Sequence, residues 1–252
     1  MVECGLNTFD FCYQRLQLNY QNIEVIKMCG RFTLVANFTD IINRFGIEAA
    51  VKEELYNPNY NIAPSNSVLS VINDGTKNRL GYLRWGLVPP WSKDEKIGYK
   101  MINARAETLT EKTSFRTAYR KKRCLIIADS FYEWKRNHDK TKTPMRIKLK
   151  SDELFAMAGL WEKWISPEGQ SIFTCTVITT TANELMKDIH DRMPVILKPE
   201  DEKSWLNPTI YDPNELNHLL KPLSAEVMEA YEVSNLVNSP KNNSAQLITK
   251  VG

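Results

Sequence analysis

Short apolar runs that meet across turn sequences recur along this chain, and they limit its fold more than any other feature. Residues 68–72 and 79–85 flank Asn73-Asp74-Gly75, a sequence suited to closing two antiparallel strands. Residues 131–135 and the alternating Met145-Arg146-Ile147-Lys148-Leu149-Lys150 flank a turn near Asn137-His138-Asp139, and residues 154–164 and 172–179 flank Pro167-Glu168-Gly169. The continuous run Cys124-Leu125-Ile126-Ile127-Ala128 has the pattern of a fully buried strand. Phe32-Thr33-Leu34, residues 195–197 and residues 233–237 predict further strands. A helix carrying Ile41, Ile42 and Phe45 is expected to be capped by Thr39 or Asp40 and stopped by Gly46. Others are expected at 114–122, after a cap at Thr181 or Asn183, at 199–206 and at 214–220. Residues 56–64, with Pro58 and Pro64, should be extended, and Trp85-Gly86-Leu87-Val88-Pro89-Pro90-Trp91 should form an aromatic, proline-rich loop. Hairpins with helices between them predict an α+β fold, a single domain built on curved, mainly antiparallel, barrel-like sheet with peripheral helices. That domain is expected over residues 28–240, with a leader at 1–27 and a polar tail at 241–252.

Composition excludes more than it selects. The chain has 252 residues, 42 % hydrophobic content and a net charge of +3, values that suit a globular domain and permit a nucleic-acid partner without requiring one. Five cysteines, at 4, 12, 29, 124 and 175, form no CxxC pair and are odd in number. This argues against a zinc site or a disulfide framework and for a reducing cytoplasm, with no metal and no cofactor expected. No run is apolar and long enough to predict a membrane span. Glu3 stands where an export signal would be basic, and Asp10 and Arg15 interrupt any apolar core. Glu24-Val25-Ile26-Lys27 can be encoded by GAG-GTG-AT ahead of the ATG of Met28, which has the form of a bacterial ribosome-binding site. The expectation is therefore that translation starts at Met28 and that the leader is an over-extended reading frame; purine-poor codons for Glu24-Val25 would remove it. A propeptide cut before Cys29 is the rival.

Met28-Cys29-Gly30-Arg31-Phe32-Thr33 carries a chemical consequence if Met28 is trimmed. An N-terminal cysteine bears an amine and a thiol on adjacent carbons, so an aldehyde caught as an imine is closed by the thiol into a five-membered thiazolidine. The α-amine, with a reference pKa near 7.7–8.0 against about 10.4 for lysine, has a neutral fraction a few hundred times larger at neutral pH. Ring closure gains from the tethered thiol. The plainer alternative is that Cys29 is one more small buried residue.

Four polar clusters stand in apolar or turn-rich surroundings: Cys29-Gly30-Arg31, Asn103-Ala104-Arg105-Ala106-Glu107, Phe131-Tyr132-Glu133-Trp134 and His190-Asp191-Arg192-Met193-Pro194. With Tyr60-Asn61-Ile62-Ala63-Pro64, Trp85-Gly86-Leu87 and Ser239-Pro240-Lys241-Asn242, their order resembles that of the SRAP family, the abasic-site processing proteins of the SOS response. The resemblance implies that an N-terminal cysteine links covalently to the ring-opened aldehyde of an abasic site in single-stranded DNA. It makes Cys29 the nucleophile, places Asn103 beside its amine, and gives Glu133 the role of proton shuttle and His190 that of a second acid/base. Independently, carbinolamine formation and loss of water need protons moved in opposite directions, and a carboxylate among Phe131, Tyr132 and Trp134 would have its pKa raised. The structural alternatives are a strand-edge ion pair for Glu133, a helix-end histidine for His190 and a turn residue for Asn103. His138 and His218, among polar neighbours, are expected to be solvated. DNA contacts are expected from Arg31, Arg105 and Arg192, whose guanidinium forks match phosphate, with Pro64, Trp85 and the Pro89-Pro90-Trp91 loop as stacking surfaces. One of Trp85 and Trp91 is expected to be core. The basic stretch 114–123 has the charge of a duplex reader or of a solvated face.

The expected partner is thus single-stranded DNA with abasic sites, engaged by a monomer in the bacterial cytoplasm, nucleoid-associated when bound, with no membrane involved. A cysteine (auto)peptidase using Cys29, His190 and Glu133 to release its own leader, and a non-catalytic single-stranded-DNA module, are the alternatives.

Overall fold

The structure is a computed structural model, and it describes residues 29–252; the leader and the proposed start at Met28 lie outside the described residues. In chain order the elements are β1 (Arg31–Leu34), α1 (Phe38–Phe45), β2 (Ala49–Ala50), β3 (Asn59–Ile62), β4 (Ser67–Asn73), β5 (Asn78–Trp85), β6 (Asn103–Arg105), α2 (Thr113–Lys121), β7 (Arg123–Ala128), β8 (Ser130–Arg136), β9 (Lys142–Leu149), β10 (Phe155–Ile165), β11 (Ser171–Thr181), β12 (Arg192–Pro194), β13 (Ile196–Leu197), α3 (Pro199–Leu206), α4 (Pro213–Leu216) and β14 (Met228–Glu232).

All three expected hairpins form, as β4–β5, β8–β9 and β10–β11. Antiparallel pairing continues from β4 to β7 and from β7 to β10. The ring is then closed by a parallel pair, Thr174↔Arg84 and Cys175↔Trp85, between β11 and β5, so five strands make a mixed barrel with no free edge. A second, wholly antiparallel sheet runs in the order β14-β9-β8-β1-β3. The barrel strands are buried on both faces: Val68, Ile126 and Trp85 share one face, and Val71 and Leu125 the other.

Local chemistry explains the departures from expectation. The cap of α1 is Asn37, not Thr39 or Asp40: its side chain accepts from the Asp40 backbone N–H at 2.8 Å, because this start turns Phe38 and Ile41 together into the core. Gly46 ends that helix in the left-handed region, φ 54°. Asn183 accepts from the Met186 N–H at 3.0 Å but starts only a turn. The helix expected at 214–220 is one short α-turn continued as a 3-10 turn at Asn217–Leu219. The late strand is β14; within the expected 233–237 strand only Val233 makes a bridge, to Lys250, and Asn235–Asn238 form a 3-10 turn, with Val233 and Val237 both buried. Leu247, in the segment of polar composition beyond residue 240, is fully buried against Tyr132, Val233 and Val237. Among the described residues no helix is long and apolar enough to cross a membrane.

The loop after β5 starts with a tight approach. Gly86 has φ 126°, and a Cβ there would lie 2.7 Å from the Gly98 carbonyl oxygen. Only glycine fits this turn out of the barrel, which carries the chain from buried Trp85 toward Trp91 on the surface.

Candidate active site

Strand pairing gathers the four polar clusters at one end of the barrel. Cys29 lies two residues before the start of β1, whose Arg31 pairs with Tyr132 of β8, so Glu133 continues β8 past the beginning of β1. On the other side, β11 places Val177 beside Asn103 and Thr179 beside both Arg105 of β6 and Pro194 of β12. Residues far apart in sequence thus converge on Cys29 through backbone register alone.

Cys29 is 5 % exposed. Asn103 donates from Nδ2 to the Cys29 carbonyl oxygen at 2.9 Å, and the Cys29 thiol donates to the Arg192 carbonyl oxygen at 3.6 Å. A small pocket beside the thiol is lined by Phe32, Trp85, Phe131, Met157, Val177 and Pro194. Burial, and after it the charge and hydrogen bonding of Glu133, push the Cys29 thiol well above its ordinary pKa, with the Arg192 cation opposing. The pocket therefore keeps a neutral thiol.

Glu133 is 3 % exposed. Burial raises its pKa, against opposing effects of His190 and of hydrogen bonding to the Cys29 thiol. Among the described residues no ion pair holds this carboxyl, and the expected partners Lys135 and Arg136 make none with it. His190 is largely buried, and its Nδ1 lies 3.1 Å from the Arg192 backbone nitrogen and 3.2 Å from both the Arg192 carbonyl oxygen and Asp191 Oδ1, so it accepts in one tautomer and donates in the other. Among the described residues, four buried side-chain N or O atoms have no hydrogen-bond partner, and three of them belong here: Asn103 Oδ1, Glu133 Oε1 and Arg192 Nε. Such atoms are costly inside a fold unless a ligand satisfies them. The arrangement can position an amine, move a proton to and from an oxygen, and exclude water.

The residues expected to meet DNA divide. Trp85 is core, not a stacking platform: it is 2 % exposed, its indole N–H donates to the Ile102 carbonyl oxygen at 2.7 Å, and its ring packs on Phe32. Trp91 is 59 % exposed, Pro64 half-buried and Arg105 exposed. Arg31 does not present an open fork. Its guanidinium donates to Asn61 Oδ1 (2.8 Å) and to the carbonyl oxygens of Val237 (2.7 Å) and Asn238 (3.1 Å), and lies over the Trp134 ring. Arg192 is likewise occupied, bidentate on Glu107 at 2.7 and 2.9 Å. His138 and His218 are exposed and stand apart. Among the described residues no group of three or more His, Cys, Asp or Glu side chains could hold a metal ion.

Sequence reasoning missed Asn61 and Glu107. Asn61 is 2 % exposed and donates to the carbonyl oxygens of Ser239 (2.9 Å) and Asn242 (3.0 Å) while accepting from Arg31. It ties the Tyr60–Pro64 and Ser239–Asn242 motifs to β1 as a clasp. Asn61→Ala is expected to cost about 2–3 kcal/mol, from buried acceptors and one arginine donor left unpaired, and to open residues beyond 237 to limited proteolysis followed by mass spectrometry. The signal for Glu107 was its place two residues after Arg105 in a polar cluster.

A family model described as SOS response associated peptidase (SRAP) matches residues 28–240. The chain is 66 % identical over 221 residues to the abasic site processing protein YoqW of Bacillus subtilis, covering 88 % of this chain and 99 % of that one. It is 32 % identical over 227 residues to the abasic site processing protein HMCES of Xenopus tropicalis, covering 78 % and 67 %. A crystal structure of a Bacteroides thetaiotaomicron protein superimposes with a TM-score of 0.80 at 30 % identity, over 88 % of this chain and all of that one. On these matches, and with its polar clusters brought together around Cys29, the chain belongs to the SOS response associated peptidase (SRAP) family.

Proposed function

We propose that this protein captures abasic sites in single-stranded DNA covalently, through a thiazolidine formed by Cys29 once Met28 has been removed and its amine is free. The observation that carries the reading is the buried Cys29 with Asn103 Oδ1 and Glu133 Oε1 lying unpartnered around it. Relatives named as abasic site processing proteins support the substrate.

The chemistry follows from the groups present. The neutral amine adds to the aldehyde carbon, forming a C–N bond and a carbinolamine oxygen. Asn103 Oδ1 accepts an amine hydrogen and orients the lone pair. Glu133, whose acid form burial favours, gives its proton to that oxygen, which has already taken one amine hydrogen and leaves as water; as a carboxylate it then takes the thiol proton while sulfur bonds the iminium carbon and the C=N electrons return to nitrogen, so Glu133 ends as the acid it began. Aldehyde and aminothiol become thiazolidine and one water. His190, whose charge acts on Glu133, serves as the second acid/base that opens the sugar ring. A cysteine peptidase would need a thiolate, and the raised thiol pKa weighs against that alternative. The reading has the protein act as a monomer in the cytoplasm, at the nucleoid when bound.

The test is to incubate protein beginning at Cys29 with an abasic single-stranded oligonucleotide and to look for a heat-stable adduct on a denaturing gel. Free Cys29 is expected to give the adduct, and Cys29→Ala or one extra residue before Cys29 to give none. Equal crosslinking by the capped form would sink the reading.

A further inference from the structure

Trp85 walls two recesses. On one side is the small pocket beside the Cys29 thiol, and on the other a recess of about 260 Å³ lined by Ser65, Arg84, Gly86, Glu95, Gly98 and Tyr99. Part of this second lining is bare backbone, because a Cβ on Gly98 would lie 2.7 Å from the Gly86 carbonyl oxygen. Arg84 Nη1 donates to Glu95 Oε2 at 2.7 Å, and among the described residues neither side chain makes another hydrogen bond. Both are half-buried. Most of the five guanidinium donors and one carboxylate oxygen are therefore left for a ligand. Tyr99 adds an exposed aromatic ring from the same 3-10 segment, Glu95–Lys100, which also exposes Lys96 and Lys100.

We infer that this recess is a nucleobase subsite for the nucleotide next to the abasic sugar, and that it selects guanine. The inference rests on the single-stranded-DNA reading above and deepens it. When a ring-opened sugar reaches Cys29, the neighbouring nucleotide is one backbone step away, and the cavity across Trp85 adjoins the thiol pocket. Bases of a single strand are recognised by stacking on an aromatic ring and by hydrogen bonds to their edges. Tyr99 supplies the first and the Arg84–Glu95 pair the second. A free phosphate would meet the Glu95 carboxylate as a like charge, whereas a base edge that both accepts and donates matches the pair. Guanine alone among the four bases presents donors on two adjacent atoms, N1–H and the 2-amino group, to a carboxylate, with the acceptors O6 and N7 beside them for an arginine. Lys96 and Lys100 are placed to neutralise the flanking phosphates.

The experiment measures the affinity of protein beginning at Cys29 for single-stranded oligonucleotides carrying a tetrahydrofuran analogue, which has no aldehyde. Each of the four bases is placed in turn on its 5′ and then on its 3′ side. Guanine on one of the two sides is expected to bind about tenfold more tightly than the other bases. Glu95→Ala is expected to cut that preference to about twofold or less, and Tyr99→Ala to weaken binding about tenfold whatever the base. Equal affinities for all four bases on both sides, or a preference for another base, would overturn the inference. A guanine preference that survives Glu95→Ala would put the reader elsewhere and overturn it too. Should Glu95→Ala fail to fold, Tyr99→Ala at its exposed position carries the location test, and undiminished affinity there counts against the recess. Failure of the thiazolidine reading shows separately, as no adduct with an aldehyde-bearing oligonucleotide that the unsubstituted protein binds.

Discussion

Glu133→Gln is expected to slow adduct formation about 10²–10⁴-fold and, in the same protein, to raise the melting temperature at neutral pH. Both effects come from one buried carboxyl with an unpartnered oxygen. Burial raises its pKa above the unfolded value, with His190 and the Cys29 thiol only partly opposing. The folded state therefore binds this proton more tightly than the unfolded chain. The stabilisation this provides is complete below the ordinary glutamate pKa and is lost as pH rises through the raised folded value. Above that value the native protein holds a desolvated charge, which glutamine does not. The melting-temperature difference between variant and native protein should accordingly be smallest in acid and grow toward alkaline pH, while the native adduct rate falls over the same interval as the acid form disappears. Thermal melts and single-turnover rates from about pH 4 to about pH 9 read both. A variant that melts lower at every pH would mean that the carboxylate makes a stabilising bond, and the acid role would go with it.

Arg123→Met should be the most damaging substitution away from the site, costing about 3–5 kcal/mol and lowering the melting temperature by roughly 10 °C for a chain of this size. Arg123 is 4 % exposed and opens β7. Among the described residues no carboxylate pairs with it. Nε donates to the Trp205 carbonyl oxygen (2.6 Å), Nη1 to those of Tyr119 (3.0 Å) and Arg120 (2.8 Å), and Nη2 to those of Asn207 (2.5 Å) and Ile210 (2.8 Å). These acceptors lie at the C-terminal ends of α2 and α3 and just beyond, where carbonyls have no partner within the helix and the dipole is negative. One cation thus finishes two helices and fixes both to the barrel, and the Trp205 ring lies 5.6 Å from its centre. Burial lowers its pKa to about 10, so it remains charged at neutral pH. Lysine should recover only part of the loss, having three donors for five acceptors. Urea unfolding curves measure it; a shift below 1 kcal/mol would show that the carbonyls find other donors.

The hairpins were legible because each is local: two apolar runs and the turn between them lie within a few dozen residues. The parallel β5–β11 pair that closes the barrel has no such signature, since Trp85 and Cys175 meet without a turn to announce them. Around α1, Asn37, Thr39 and Asp40 are all competent caps, and only the placement of Phe38 in the core decides among them. Val233 and Val237 read as one strand from composition, yet only Val233 is bridged, to Lys250, before the chain turns at Asn235–Asn238, and both are buried. The convergence of Cys29, Asn103, Glu133 and His190 could be anticipated because each stands in a polar cluster within apolar surroundings. The protein acceptors of Arg31 and Arg192 could not, because a guanidinium fork fits carbonyl and carboxylate oxygens as well as phosphate. Composition does not say which acceptor the fold will bring.

The clasp made by Arg31 and Asn61 also sets an order on synthesis. The Val237 carbonyl that Arg31 grips is encoded 206 positions later, so β1 leaves the ribosome long before its anchor exists. A growing polypeptide therefore has no finished cleft around Cys29, and translation must reach the final stretch before that residue is both sequestered and aligned. Messages broken upstream of codon 237 would yield products with Cys29 but without the clasp.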